Sequence, residues 1–264
     1  MRLHPVVAIV ASALLAAAPA PAARAQGATT PARPATFVIV HGAWGGGWDW
    51  RAAAQALTKA GHTVHRVTLT GLGERVHLAS PSIGLATHVA DVVNTLRFEE
   101  LTDVILVGHS YGGMVISGVV DQVPERVRRL VYVDAFLPDS GESVATITGA
   151  MGAGLLAAAK DGMIPPFGNP GGTKVPGDVP HPLKTFTDTL HLVQPARRRV
   201  PATYILTVDA GQTEDPVFSR FVPRAKGRGY DVITMTADHT PERSALPELT
   251  GHLLRAAAAP EGKR

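Results

Sequence analysis

The chain has no cysteine among its 264 residues. That excludes disulfides, thiolate metal sites and a cysteine nucleophile. It also lets the chain fold in an oxidising compartment without pairing errors. Charge is sparse: Asp, Glu, Lys and Arg make up 18% of the residues and leave a formal net charge of +3. The basic residues are scattered apart from Arg197-Arg198-Arg199, so no basic stripe points to nucleic acid. No apolar run reaches the roughly 20 residues a transmembrane helix needs; the run from Val6 to Ala18 stops at Pro19. With Arg2 before it and Ala23-Arg24-Ala25 after it, this run reads as a secretory leader spanning 1–25. The expected product is exported, periplasmic or secreted, with no stable membrane insertion. Loss of Arg2 and Arg24 lowers the formal charge to +1.

What remains is a lead-in at 26–36 and one domain at 37–258. Its length suits a single α/β domain, and 45% hydrophobic residues supply a core. Apolar runs alternate with helical patterns along it. Strands are expected at 36–42, 62–69, 103–108, 127–135, 202–208 and 230–237, several as near-continuous β-branched runs of the kind buried on both faces of a parallel sheet. Between them, Ala53, Ala54, Leu57 and Ala60 recur at helical spacing, with Gly61 as C-cap. Val89, Val92, Val93 and Leu96 do the same, with Thr87 as expected N-cap and Asp91 in the first turn. Strand–helix alternation predicts a mostly parallel, doubly wound sheet. From about 138 to 200 the rhythm breaks. "MIPPFGNPGGTKVPGDVPHP" at 163–182 holds six prolines, which rules out a central strand or long helix and predicts a cap over the sheet.

The stretch "VILVGHSYGGM" at 104–114 carries the chemistry. Gly108-His109-Ser110-Tyr111-Gly112 fits G-x-S-x-G, and both the preceding strand and the following helix are present. Such a turn exposes Ser110 and aims the Tyr111 amide at a developing oxyanion. A serine hydroxyl needs a base and an orienting acid, which follow in the order Ser, acid, His beyond later strands. Of eleven histidines, His239 in "ADHTPE" lies just after the last strand. His109 adjoins the serine but points the wrong way on a tight turn, which leaves it a packing or hydrogen-bonded role. Asp209, at the end of "ATYILTV", is the expected acid, with Asp215 as the alternative. Asp238, next to the base, is a poor orienter. The glycine-rich loop "HGAWGGGWDW" supplies Ala43 as the second oxyanion donor, with Gly42 and Trp44 as pocket-lining candidates. Trp48 and Trp50 read as anchors for the next helix. His62, His65, His77 and His88 form no metal-ligand spacing, and no metal site is expected.

"FVIVHGAWGGGWDW", "LTGLGERVHL", "VILVGHSYGGMVISGV", "LVYVDAFLPDSGES" and "ADHTPE" together resemble one branch of the α/β hydrolases. It holds plant methyl-salicylate-type esterases, hydroxynitrile lyases and their bacterial esterase relatives. The similarity runs from Phe37 to Leu254 and is weakest in the cap. It implies an α/β-hydrolase fold with a cap at about 138–200, and a triad of Ser110, an aspartate near 209 and His239. It also implies no cofactor and a small ester substrate with an apolar or aromatic part. The lyases carry a threonine after the first-strand histidine and a lysine after the catalytic one. Here Gly42 and Thr240 stand there, so nothing cationic would hold cyanide. Serine esterase chemistry through an acyl-enzyme is therefore expected. Lyase or perhydrolase chemistry on the same triad, and a non-catalytic ligand-binding module, are the alternatives.

Overall fold

The computed structural model describes residues 33–166 and 175–259; the leader expected at 1–25 lies outside them. In chain order the elements are β1 (Thr36–Val40), α1 (Arg51–Lys59), β2 (Thr63–Val67), α2 (Leu85–Phe98), β3 (Val104–His109), α3 (Gly112–Gln122) and β4 (Val127–Val133). An excursion follows, holding α4 (Val144–Thr148), α5 (Ala150–Ala157), β5 (Met163–Ile164), β6 (His181–Pro182) and α6 (Lys184–Thr187). The chain then returns through β7 (Ala202–Val208), α7 (Val222–Gly227), β8 (Asp231–Thr236), α8 (Pro241–Ser244) and α9 (Leu246–Ala258).

Six parallel strands form one sheet in the order β2-β1-β3-β4-β7-β8. They are the six that the apolar runs predict. β3 and β7 are buried along their whole length, whereas the edge strands β2 and β8 are partly exposed. Alternation along each strand sends side chains to two cores. Val38, Val40, Leu106 and Tyr132 meet α2 and α3 on one face; Phe37, Ile39, Val107 and Val133 meet α1 and α9 on the other. Each fully buried side chain of this size contributes about 1.5–3 kcal/mol.

Local signals fix the helix ends. Gly61 ends α1 in the left-handed region at φ 92°, where glycine avoids the Cβ penalty. The His62 amide then returns to the Leu57 carbonyl at 3.1 Å, closing a Schellman turn. α2 begins two residues before Thr87. The carboxylate of Asp188, from the excursion, accepts the Leu85 amide at 3.1 Å and replaces the expected local cap. Asp91 accepts the Thr70 amide at 2.7 Å and its hydroxyl at 2.8 Å, so it ties α2 to the loop after β2.

Register sets up the site. His109 of β3 pairs with Val133 of β4, and Val133 pairs with Ile205 of β7. Ser110 and Asp134, the next residues, therefore leave adjacent central strands at the same height.

Candidate active site

Ser110 occupies a left-handed backbone conformation, φ 53°, which a non-glycine residue holds only where its surroundings enforce it. The enforcement comes from close approach. A Cβ on Gly112 would lie 2.6 Å from the Val40 carbonyl oxygen, and one on Gly113 would lie 2.1 Å from that of Phe136. Strand and helix thus meet at glycines, and the serine projects above the sheet edge.

His239 follows β8 and reaches back over β7. Its Nε2 lies 2.9 Å from Ser110 Oγ, and its Nδ1 lies 2.6 Å from Asp134 Oδ2. A carboxylate accepts only, so the ring proton sits on Nδ1 and Nε2 accepts from the serine hydroxyl. Asp134 is fully buried, while the His239 side chain is 42% exposed. The carboxylate is shielded from water and the imidazole is reachable.

The carboxylate expected here was Asp209, or else Asp215; neither faces His239. Asp209 is exposed just beyond β7. Asp215 folds its own loop, accepting the amides of Val217 at 2.7 Å and Phe218 at 2.5 Å. Asp134 takes the position because it is one strand nearer the serine. Its Oδ1 accepts the Thr207 amide at 3.0 Å, and its own amide donates to the Ile205 carbonyl at 2.7 Å. Its backbone is left-handed too, φ 42°. The signal was an aspartate ending the buried run "LVYV" (130–133).

Neighbours hold the imidazole. His109 donates from Nε2 to the His239 carbonyl at 2.7 Å; burial lowers its pKa to about 3, so it is neutral. Phe218 stacks on the His239 ring at 4.8 Å and 8°. Asp238 accepts the Thr240 amide at 2.8 Å and the Ser244 hydroxyl at 2.8 Å, shaping the turn without touching the imidazole Nδ1. Next to it, Glu242 is buried and its pKa is raised to about 7 by that burial. Arg243 pairs with Asp49 and lies over the Trp48 ring, tying this turn to the glycine-rich loop. Trp50 is fully buried, the anchor that the sequence suggested.

The glycine-rich loop passes directly over the serine. A Cβ on Gly42 would lie 3.1 Å from Ser110 Cβ. His41, buried and neutral with its pKa lowered to about 4 by burial, accepts the Leu69 amide on Nε2 at 3.1 Å. It donates from Nδ1 to the Gly42 carbonyl at 2.7 Å. Fixing that carbonyl turns the N–H of the same trans peptide, that of Ala43, the opposite way. The amides of Ala43 and Tyr111 have no acceptor among the described residues. Trp44 is half-buried with its ring against His181 and Phe186 of the cap.

Among the described residues, no group of three or more His, Cys, Asp or Glu is arranged to hold a metal, and no helix is long and apolar enough to cross a membrane. Cavities of about 430 and 510 Å³ lie elsewhere and are lined by neither Ser110 nor His239.

The model of the Alpha/beta hydrolase family matches residues 37–250. A carbendazim hydrolyzing esterase from Nocardioides sp. (strain SG-4G) is 56% identical over 110 residues, 42% of this chain and 46% of that protein. Salicylic acid-binding protein 2 of Nicotiana tabacum is 34% identical over 107 residues, 39% of this chain and 40% of that protein. The chain spans less than half the length of these curated relatives in the matches. A solved extracellular alpha/beta-hydrolase from a Paenibacillus species aligns at TM-score 0.71 and 27% identity, covering 88% of this chain and 100% of that one. It is described as sharing structural and functional homology with the tobacco protein.

Proposed function

The chain belongs to the alpha/beta hydrolase family, and from that premise we propose that it hydrolyses small carboxylic esters with Ser110 as nucleophile. The observation that carries this reading is the chain of hydrogen bonds Ser110–His239–Asp134 beside the amides of Ala43 and Tyr111, which have no acceptor among the described residues. His239 Nε2 takes the hydroxyl proton as Ser110 Oγ attacks the ester carbonyl. Asp134 holds the imidazole in the required tautomer and stabilises the imidazolium. The carbonyl electron pair moves onto oxygen, where the two amides receive it; removing one such donor typically costs about 2.7–4 kcal/mol. Collapse expels the alcohol, which leaves with the proton from His239. Water, deprotonated by His239, then cleaves the acyl-serine.

Substrates with an apolar or aromatic part fit the half-buried ring of Trp44, which packs on Phe186 of the buried Tyr111–Phe186 stack. The relative named for carbendazim supports including that compound in the search. Cyanohydrin cleavage is disfavoured: Thr240 offers no cation, and its hydroxyl is already bonded to Asp238 at 2.9 Å.

The test is turnover of p-nitrophenyl acetate, a methyl ester of an aromatic acid and carbendazim by wild type and Ser110→Ala. Wild type is expected to cleave at least one, and Ser110→Ala none above background. A Ser110→Ala enzyme at wild-type rate sinks the reading. Aldehyde release from a cyanohydrin without ester turnover would favour the lyase instead.

A further inference from the structure

We propose that His181, in the cap, is a positioning residue for the oxyanion loop: it holds the Ala43–Trp44 peptide so that the Ala43 amide stays free to face the reacting carbonyl. This rests on the esterase reading above and adds a part to its machinery.

The loop needs holding. Trp44 has a left-handed backbone, φ 63°, costly for a bulky residue. Local bonds hold the Gly42–Ala43 peptide, where His41 takes the Gly42 carbonyl, and one end of the Ala43–Trp44 peptide, where the Gly45 amide takes the Ala43 carbonyl at 2.7 Å. The other end of that peptide and the rest of Trp44 are held by contacts from the cap. The Trp44 amide donates to His181 Nδ1 at 3.1 Å. The Val179 amide donates to the Trp44 carbonyl at 3.0 Å. The indole Nε1 donates to the Ile164 carbonyl at 3.1 Å. Ile164 and His181 are themselves partners in the antiparallel β5–β6 pair, so the three contacts come from one small unit. Were the Trp44 amide released, the Ala43–Trp44 peptide would be held at its Ala43 end only, by the Gly45 amide, and could tilt as its left-handed residue relaxes.

His181 suits this task. It is fully buried, and burial together with His88 and His41 lowers its pKa well below the ordinary value. Its ring is neutral, with the Nδ1 lone pair open to the Trp44 amide. It also packs edge-on against the ring of Tyr111 at 4.8 Å and that of Phe186 at 4.9 Å. Tyr111 carries the second candidate amide and is anchored below, its hydroxyl donating to His88 Nδ1 at 2.9 Å. One cap residue thus touches both halves of the hole. It does not touch Ser110, so its effect is on geometry alone.

Two substitutions separate positioning from simple packing. His181→Leu keeps bulk and removes the acceptor. His181→Asn places an amide oxygen near the position of Nδ1. On the best ester substrate, His181→Leu is expected to lower kcat about tenfold to hundredfold, less than the roughly 10²–10³ of a fully lost oxyanion donor because the donor is misplaced rather than removed, with KM little changed. His181→Asn is expected to recover most of that loss, although its Tm is no higher than that of the leucine variant. Equal kcat in the two variants, or a change confined to KM, overturns the proposal. If His181→Leu fails to fold, Val179→Pro removes only the amide that holds the Trp44 carbonyl. It should also lower kcat, and wild-type kcat there overturns the proposal too. An inactive Ser110→Ala with a fully active His181→Leu removes this inference and leaves the esterase reading standing. An active Ser110→Ala removes the reading itself.

Discussion

Ser110 and Asp134 stand level on adjacent strands, one residue beyond the paired His109 and Val133, and His239 bridges them at 2.9 and 2.6 Å. The backbones interlock as well: the Ser110 amide donates to the Val133 carbonyl at 3.2 Å, and the Phe136 amide donates to the Ser110 carbonyl at 3.1 Å. Ser110 and Asp134 therefore share one rigid platform, and only His239 arrives on a separate loop.

That arrangement predicts which carboxylate matters. Asp134→Asn removes the charge that stabilises imidazolium and permits the wrong tautomer; a loss in kcat on the order of 10³–10⁴ is expected, by analogy with the serine-protease triad. Asp209→Asn alters an exposed side chain and should leave kcat near wild type. Asp215→Asn keeps the acceptor for the Val217 and Phe218 amides, so it too should stay close. Kinetics of the three variants on one ester decide the matter. A large loss at Asp209 with none at Asp134 would return the acid to the position expected from the sequence.

The strands, the elbow and the histidine that reaches Ser110 were legible because each rests on a local signal: β-branched runs, glycines at a forced close approach, and a histidine after the last strand. The carboxylate that meets this histidine was not, because its identity depends on register. Nothing local in "YVDAF" says that Val133 pairs with His109, whereas Asp209 ends a strand in the chain position the resemblance implied. The cap was legible only as an interruption. Its proline content excluded long elements, but the contacts of Trp44 with Ile164, Val179 and His181 link residues more than a hundred positions apart. The start of α2 was displaced for the same reason, since its capping carboxylate, Asp188, comes from the excursion.

Six histidines are buried and lowered by that burial, and four of them are shifted far enough to set the response to acid. Burial lowers His41 and His88 to about 4, His109 to about 3 and His181 well below 6.5. Between pH 6.5 and about 4 the unfolded chain binds protons at these four positions that the folded chain does not, so stability falls as pH is lowered. Each contributes about 1.4 kcal/mol per pH unit. Asp49 and Glu242 act in the opposite sense. Burial raises them to about 6 and about 7, so the stability they contribute is complete below their unfolded values and is lost as pH rises. Four against two leaves a net loss of up to about 3 kcal/mol per pH unit between pH 6 and 5. Thermal melts at pH 7, 6 and 5 should show Tm dropping steeply over the last step. A flat or rising Tm there would contradict these burial effects.

The elbow glycines make a last, sharper prediction. A Cβ on Gly113 would meet the Phe136 carbonyl oxygen at 2.1 Å and the Ala135 Cβ at 3.0 Å. Neither can rotate away, because both belong to the segment directly after Asp134. Gly113→Ala must therefore push that segment off α3, at a cost typical of overpacking, about 1–3 kcal/mol. The displacement also reaches the chemistry: Phe136 packs on Phe218 at 5.2 Å, and Phe218 stacks on His239. Tm and kcat should fall together. Gly154 is the internal contrast. It lies on α5 with open space where a Cβ would go and no left-handed backbone, so Gly154→Ala should raise stability by about 0.4–1 kcal/mol and leave kcat unchanged. Paired melts and kinetics on the two alanine variants check both. A Gly113→Ala protein with wild-type Tm and kcat would mean that strand and helix do not meet as closely as the elbow requires.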